Sequence, residues 1–355
     1  MDALNVKAKF AIRVPVTGPL ATAENILRIG VRADELGFDA VTTHDHVSQG
    51  YDERYHNSGG VSELVDENEK KGIPLSVFET IATLSVLAGK TKNVRLVPSA
   101  VVLPWRHPVL FAKQAISLHE LSGCRFVCFV VVGRWKTDFE VMNVKRNFRG
   151  RIMDEYLEIL YQILRGKTED GFEGKYLKLP KSSFYPKPSK KLPIWIGGSF
   201  HDKVFERLVK YGDGFTPGTM PADAFDEGIP RMRKYLTSHG RNPDDLEIGA
   251  QTFLCLMKDK EEAQRLSHYT IESFFHGPEF SGPDASDPSR SVRDVLMSRV
   301  SQSALVGSVD DVIEKVDDYV KAGVGFFDVR QVHRSVDDIL KMMKLFASEV
   351  MPSFS

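Results

Sequence analysis

Short apolar runs alternate along the chain with stretches whose apolar residues recur every three or four positions. "KFAIRVPV" predicts a first strand. "TAENILRIGVRADELG" predicts a helix: Thr22 can cap it, Ile26, Ile29, Ala33 and Leu36 recur at helical spacing, and Gly37 can end it. "FDAVTTHDH" reads as strand two, "FETIATLSVLAGKT" as a helix, and "VRLVPSAVVLP" as strand three. "HPVLFAKQAISLHELSG" returns to helical spacing before "FVCFVVVGRW", the fourth strand and the most apolar stretch of the chain. After the long helix "RGRIMDEYLEILYQILRG" come "IWIGGS", "DGFTPG", "LEIGAQTFLCLM" and "VGFFDVR" as strands five to eight.

Eight strands, each followed by helical spacing, predict an α/β protein built as a single (β/α)8 TIM barrel. Continuous apolar runs such as residues 126–132 suit parallel strands covered on both faces. Three connections are long, about 47–74, 134–190 and 257–310, and predict insertions after strands 2, 4 and 7. "HGPEFSGPDASDPSRS", within the last, is rich in Gly, Pro and Ser and reads as mobile. No linker divides the sequence, so residues 1–355 are expected to form one domain.

Composition narrows the class. Lys plus Arg total 47 against 48 Asp plus Glu, a net charge of −1. So balanced a chain carries no field suited to nucleic acid or an anionic membrane. No apolar run approaches the roughly 18 residues of a membrane helix, and the N-terminus lacks the apolar core of a signal peptide. A cytoplasmic protein acting on a small molecule is expected. The three cysteines, Cys124, Cys128 and Cys255, lack CxxC spacing. They read as buried free thiols without a metal.

Three stretches can carry chemistry. "THDHV" ends strand two, and alternation places His44 and His46 on one side and Asp45 on the other. Such a His pair is also a metal-binding pattern, but strands five and six add no histidine, and Asp328 on strand eight is the only further agreement. "WIGGSFHDK" ends strand five with Gly197 and Gly198 and is expected to open a helix at Ser199. Free N–H groups, the positive helix end and a hydroxyl would suit a phosphate; the alternative reading is that the glycines serve a tight turn only. Lys203 and Arg207 could add charge there or solvate the helix. "VPSAVVLPWRHP" brings small residues, Ser99 and Ala100, to a strand end, followed by Trp105, Arg106 and His107. A flat ring could lie on that backbone, or a bulge could sit there.

Together with "ADELGFDAV", "DHV", "LPWRHPVLFAKQAISLHELSGCRF", "FRGRIMDEYLEIL", "FEGKYLKLP", "PKPSKKLPIWIGGS", "YGDGF" and "GSVDDVIEKVDDYVKAGVGFF", these stretches resemble the bacterial luciferase-like superfamily. The likeness leans to its branch using the deazaflavin coenzyme F420 and covers the chain from "FAIRVP" to "AGVGFFDV". The resemblance implies an enzyme, a homodimer, in which Asp45 and His46 lie beside the cofactor ring, with His46 a proton donor or acceptor. It implies a non-prolyl cis peptide at Ala100–Val101 supporting the ring. Gly133 would belong to the cofactor site at the end of strand four, and Gly197, Gly198 and Ser199 would hold the cofactor phosphate. It also implies hydride transfer between that ring and an organic substrate.

The chain departs from the superfamily at strand four. Where the family pattern reads Gly-x-Gly-x-Gly, this sequence has Phe129, Val131 and Gly133. An F420-dependent oxidoreductase is therefore the first expectation, and a reduced-FMN-dependent monooxygenase on the same fold the second. A degenerate barrel without redox cofactor, serving in binding or structure, is the third.

Overall fold

A computed structural model describes residues 7–48, 76–273, 289–332 and 335–354. Eight strands form one parallel ring: β1 (Lys9–Arg13), β2 (Ala40–Thr43), β3 (Arg95–Pro98), β4 (Cys128–Val131), β5 (Ile194–Gly198), β6 (Gly214–Pro217), β7 (Glu247–Leu256) and β8 (Phe326–Gln331). Neighbours pair in parallel in the order β3-β2-β1-β8-β7-β6-β5-β4. A single parallel bridge, Leu96 to Phe126, joins β3 to the start of β4 and closes the ring. The short strand Val101–Val102 then continues along β4, pairing with Val130 and Val131.

Helices follow the strands on the outside, as expected of a (β/α)8 barrel. α1 (Ala23–Glu35) starts where the Thr22 side chain accepts from the Asn25 N–H. It ends at Gly37, whose φ of +80° few other residues adopt. α2 (Thr80–Lys90), α3 (Pro108–Leu121), α4 (Arg149–Leu164), α5 (Asp202–Tyr211), α6 (Ala222–Ser238), α7 (Val309–Lys321) and α8 (Val336–Leu345) complete the outer ring. Ser308 and Asp311 form a reciprocal cap at the start of α7.

The long connections carry small elements. Most of the expected first insertion, 47–74, lies outside the described residues, as does most of the Gly/Pro/Ser-rich segment near 276–291. Between β4 and β5 stand a short helix, Lys136–Val141, and a hairpin of Phe172–Glu173 with Lys178–Leu179. Between β7 and α7 stand the helices Lys260–Ser273 and Val292–Ser303, and a strand, Leu305–Gly307, paired with the far end of β7. No helix among the described residues is long and apolar enough to cross a membrane.

Strand alternation splits the core in two. Phe10, Ile12, Val41, Leu96, Val130, Ile194, Ile196 and Phe327 face the helices. Ala11, Ala40, Val97, Val127, Phe129, Trp195 and Phe326 fill the ring, with Ala100 and Val131 against them. Edge-on aromatic contacts hold this filling together: Phe129 to Trp195 at 6.0 Å and Trp195 to Phe326 at 4.8 Å between centroids. At the strands' N-terminal end Arg95 lies over Trp195 and Phe326, and forks onto Glu247 through two bonds of 2.9 Å.

Phe129 and Val131 therefore point inward, and the glycine on the next strand makes room for them. A Cβ at Gly197 would stand 2.5 Å from Val131 Cγ1 and 2.9 Å from Phe129 Cε2. Gly197→Ala should overpack the ring and cost about 1–3 kcal/mol. Adding Val131→Ala should recover part of that loss, because its Cγ1 is the nearest atom. Urea unfolding of the two variants checks this; equal stability of Gly197→Ala and the parent protein would show the space to be slack.

Candidate active site

A buried carboxylate organises the layer above the apolar filling. Asp328 on β8 accepts hydrogen bonds from Thr42 Oγ1 (2.6 Å) and Ser99 Oγ (2.5 Å) and pairs with Arg13. Gln251 Nε2 donates to Ser99 Oγ at 2.7 Å, and Arg13 Nη2 does so at 3.1 Å. Side chains from β1, β7 and β8, with Thr42 of β2 and Ser99 just past β3, thus form one polar plate across the ring. The carboxylate is almost fully enclosed and needs these donors.

His44 and His46 stand next on the same side as Thr42, towards the C-terminal mouth. Their rings lie 5.3 Å apart, edge to face. His44 Nε2 bonds Thr17 Oγ1 at 2.7 Å, while its Nδ1 is buried with no partner among the described residues. Burial, then the charges of His46, Arg330 and Arg13, hold His44 well below the ordinary imidazole range. It is a neutral ring at neutral pH.

His46 is built differently. Its Nδ1 lies 2.9 Å from Asp138 Oδ2, and the Asp138 side chain is 4% exposed against 27% for His46. An ionised carboxylate only accepts, so Nδ1 carries the hydrogen and, in the neutral ring, Nε2 holds the lone pair. Trp135 packs edge-on at 6.1 Å. Sequence reasoning missed Asp138. It lies 92 positions from His46, on the short helix after β4, and only an acid soon after a strand end could have signalled it.

Asp45 faces the other way. It accepts from the Val102 N–H at 2.9 Å and from both ends of the Arg106 guanidinium, which also bonds Glu79 at 3.0 Å. Burial favours loss of the Arg106 proton, but Asp45 beside it raises the guanidinium above its ordinary value. Asp45 and His46 thus make separate contacts, and Asp45 fastens the segment after β3 to the end of β2.

The other expected positions divide. The non-prolyl cis peptide lies at Ser99–Ala100, one bond before the expected Ala100–Val101. Ala100 is half-buried against the ring filling, whereas the Val101 side chain belongs to the outer core. Gly133 has φ +79°, and a Cβ there would stand 2.4 Å from Val102 Cγ1. It turns the chain over Val102 instead of opening space at the centre of the ring. Gly198 is half-buried and Ser199 exposed.

Ser199 does not open the helix. His201 caps α5, its Nδ1 accepting from the Lys203 N–H at 3.2 Å. Lys203 pairs with Glu206 along the helix, and buried Arg207 reaches Asp154 and the Gly150 carbonyl of α4. The cation beside this turn is Arg231, which donates to the Phe200 carbonyl at 2.5 Å and lies 3.5 Å from Asp202.

Among the described residues, His44 Nδ1, Ser48 Oγ and Thr216 Oγ1 are enclosed polar atoms without partners. Ala100 is a small residue beside the ring filling, and Phe129 and Val131 occupy the space beside Gly197.

The family model described as "Luciferase-like monooxygenase" matches residues 5–325. An uncharacterised protein of Mycobacterium tuberculosis is 30% identical over 220 residues, 61% of this chain and 73% of its own length. An F420-dependent glucose-6-phosphate dehydrogenase of Nakamurella multipartita is 23% identical, with 91% of this chain and 90% of that protein covered. Among solved structures, an F420-dependent secondary alcohol dehydrogenase in complex with an F420-acetone adduct superposes with a TM-score of 0.77. It covers 98% of this chain and 99% of that one at 16% identity, a likeness of fold.

The depressed His44 has a consequence for stability. Its folded-state value lies below the unfolded one, so the unfolded chain binds the proton more readily in acid. The His44 contribution should be intact above about pH 6.5 and be lost as pH falls further. His44→Gln should flatten that part of the slope in urea melts between about pH 7.5 and 5.5; an unchanged slope would remove His44 as its source.

Proposed function

The chain belongs to the luciferase-like monooxygenase family, and from that premise we propose an oxidoreductase that binds the deazaflavin F420 at the barrel mouth and acts on a small organic substrate. The observation that carries the reading is the His46–Asp138 pair: a partly exposed imidazole whose Nδ1 is held by a buried acid, which leaves the lone pair on Nε2. The F420-dependent relative matched over nine-tenths of the chain supports it.

When bound, the deazaflavin supplies hydride transfer; the chain supplies position and protons. His46 Nε2 takes or gives the proton that balances hydride transfer at the substrate, such as that of an alcohol or carbonyl oxygen. Asp138 keeps the ring in the orientation and tautomer that make this possible. Neutral His44 offers Nδ1 as an acceptor without adding charge. Ser48 and Thr216 offer hydroxyls to the ligand's polar edge, and Ala100 gives it a surface to lie on. Gly197, as backbone, Gly198 and Ser199, with Arg231 nearby, line the turn that would face its phosphate.

A reduced-FMN-dependent monooxygenase is the second reading, favoured by the description of the matched family. It uses the same mouth. The degenerate barrel draws its support from Phe129 and Val131 alone, and enclosed polar atoms above them weigh for a ligand.

Replacing His46 by Ala should lower turnover by about 10²–10⁴ while the dissociation constant of F420 changes by less than about threefold. Asp138→Asn should lower turnover by about tenfold or more, again with binding preserved. Single-turnover kinetics beside fluorescence titration separates the two quantities. Parallel loss of both would make His46 a binding residue and end its role as proton carrier.

A further inference from the structure

At the opposite end of the barrel, α3 ends in a tight cap. The Cys124 N–H bonds the His119 carbonyl at 2.7 Å, and the Gly123 N–H bonds that of Glu120 at 3.2 Å. This turn, with φ +67° at Cys124, folds the Cys124 side chain back towards the last turn of α3. Ligand atoms of His119, Glu120 and Cys124 then lie within 4.8 Å of one another.

The chemistry of each atom is constrained. His119 is 1% exposed, and its Nδ1 lies 3.2 Å from the Phe126 carbonyl. A carbonyl only accepts, so Nδ1 carries the hydrogen and Nε2 holds a lone pair. That Nε2 is buried without a partner among the described residues. Histidine metal ligands are commonly oriented by the same type of bond, ring N–H to backbone carbonyl. Glu120 accepts from the Ser189 N–H (2.8 Å) and hydroxyl (3.1 Å), which fix the position of its carboxylate. The same hydroxyl lies 3.4 Å from Cys124 Sγ. Cys124 is partly exposed, against the expectation of three buried thiols, and Cys128 and Cys255 are buried.

We infer that His119, Glu120 and Cys124 form a structural site for one borderline-soft divalent ion of the zinc type, with Ser189 as its outer partner. An imidazole, a carboxylate and a thiolate make a donor set of that class. Two ligands of one tetrahedral zinc stand roughly 3.5 Å apart, so the three atoms, now within 4.8 Å of one another, must draw closer, and a water takes the fourth position. Binding through Nε2, the ring nitrogen without a hydrogen, releases the Cys124 thiol proton to solvent. The ion would pin the loop at Ser189 to the end of α3, at the face of such barrels that serves stability, away from the mouth. This inference does not depend on the proposed activity.

The test is a titration of the chelator-treated full-length protein with Co²⁺, followed by absorbance, together with Cys124 alkylation in the presence and absence of Zn²⁺. A tetrahedral cobalt spectrum with a thiolate charge-transfer band is expected. Cys124→Ser should abolish that band. His119→Gln should weaken binding at least tenfold, and Ser189→Ala by about tenfold. Zn²⁺ should slow alkylation of the parent protein, a readout that needs no variant. A cobalt spectrum without the thiolate band, or alkylation indifferent to Zn²⁺, would overturn the site.

Discussion

An almost fully enclosed carboxylate, Asp328, sets the terms for the upper barrel. Left unpaired it would cost several kcal/mol, so Arg13, Thr42, Ser99 and Gln251 converge on it directly or through Ser99. That convergence ties β8 to β1, β2 and the end of β3, with β7 joined through Gln251. It also fixes the height at which β2 leaves the ring. Because side chains alternate, Thr42 in the plate places His44 and then His46 above it on the same side, and Asp45 opposite. The ion pair of Asp45 with Arg106, and its bond to the Val102 N–H, then lock the following segment against β2.

Below the plate the ring is a packing problem with a local solution. β4 brings Phe129 and Val131 inward, and β5 answers with Gly197, whose missing side chain leaves their volume free. The bulk of β4 thus raises the floor of the mouth without breaking the barrel. The departure at strand four and the glycine of strand five are one feature of the packing.

Much of the fold was legible because period and caps are local. Thr22 and Gly37 mark helix ends within a few residues of the atoms they serve, and each strand shows its apolar run. The parity of His44, Asp45 and His46 was equally readable. What stayed hidden joins distant positions: Asp138 to His46, Arg106 to Asp45, Ser189 to Glu120. One-dimensional spacing says nothing about such pairs. The Ser199 expectation failed for another reason: a histidine nitrogen at 201 does the capping usually given to a hydroxyl. Gly133 matched a pattern by position, yet its conformation serves the turn over Val102.

The central claim is that this mouth, with its floor raised by Phe129 and Val131, still holds a deazaflavin. Its most direct test is equilibrium titration of the purified full-length protein with F420 and with FMN, each oxidised and reduced, followed by cofactor fluorescence. The account predicts saturable one-to-one binding of F420, tighter than that of FMN in either oxidation state. Tighter binding of reduced FMN would move the chain to the monooxygenase reading, and binding of neither would contradict the account.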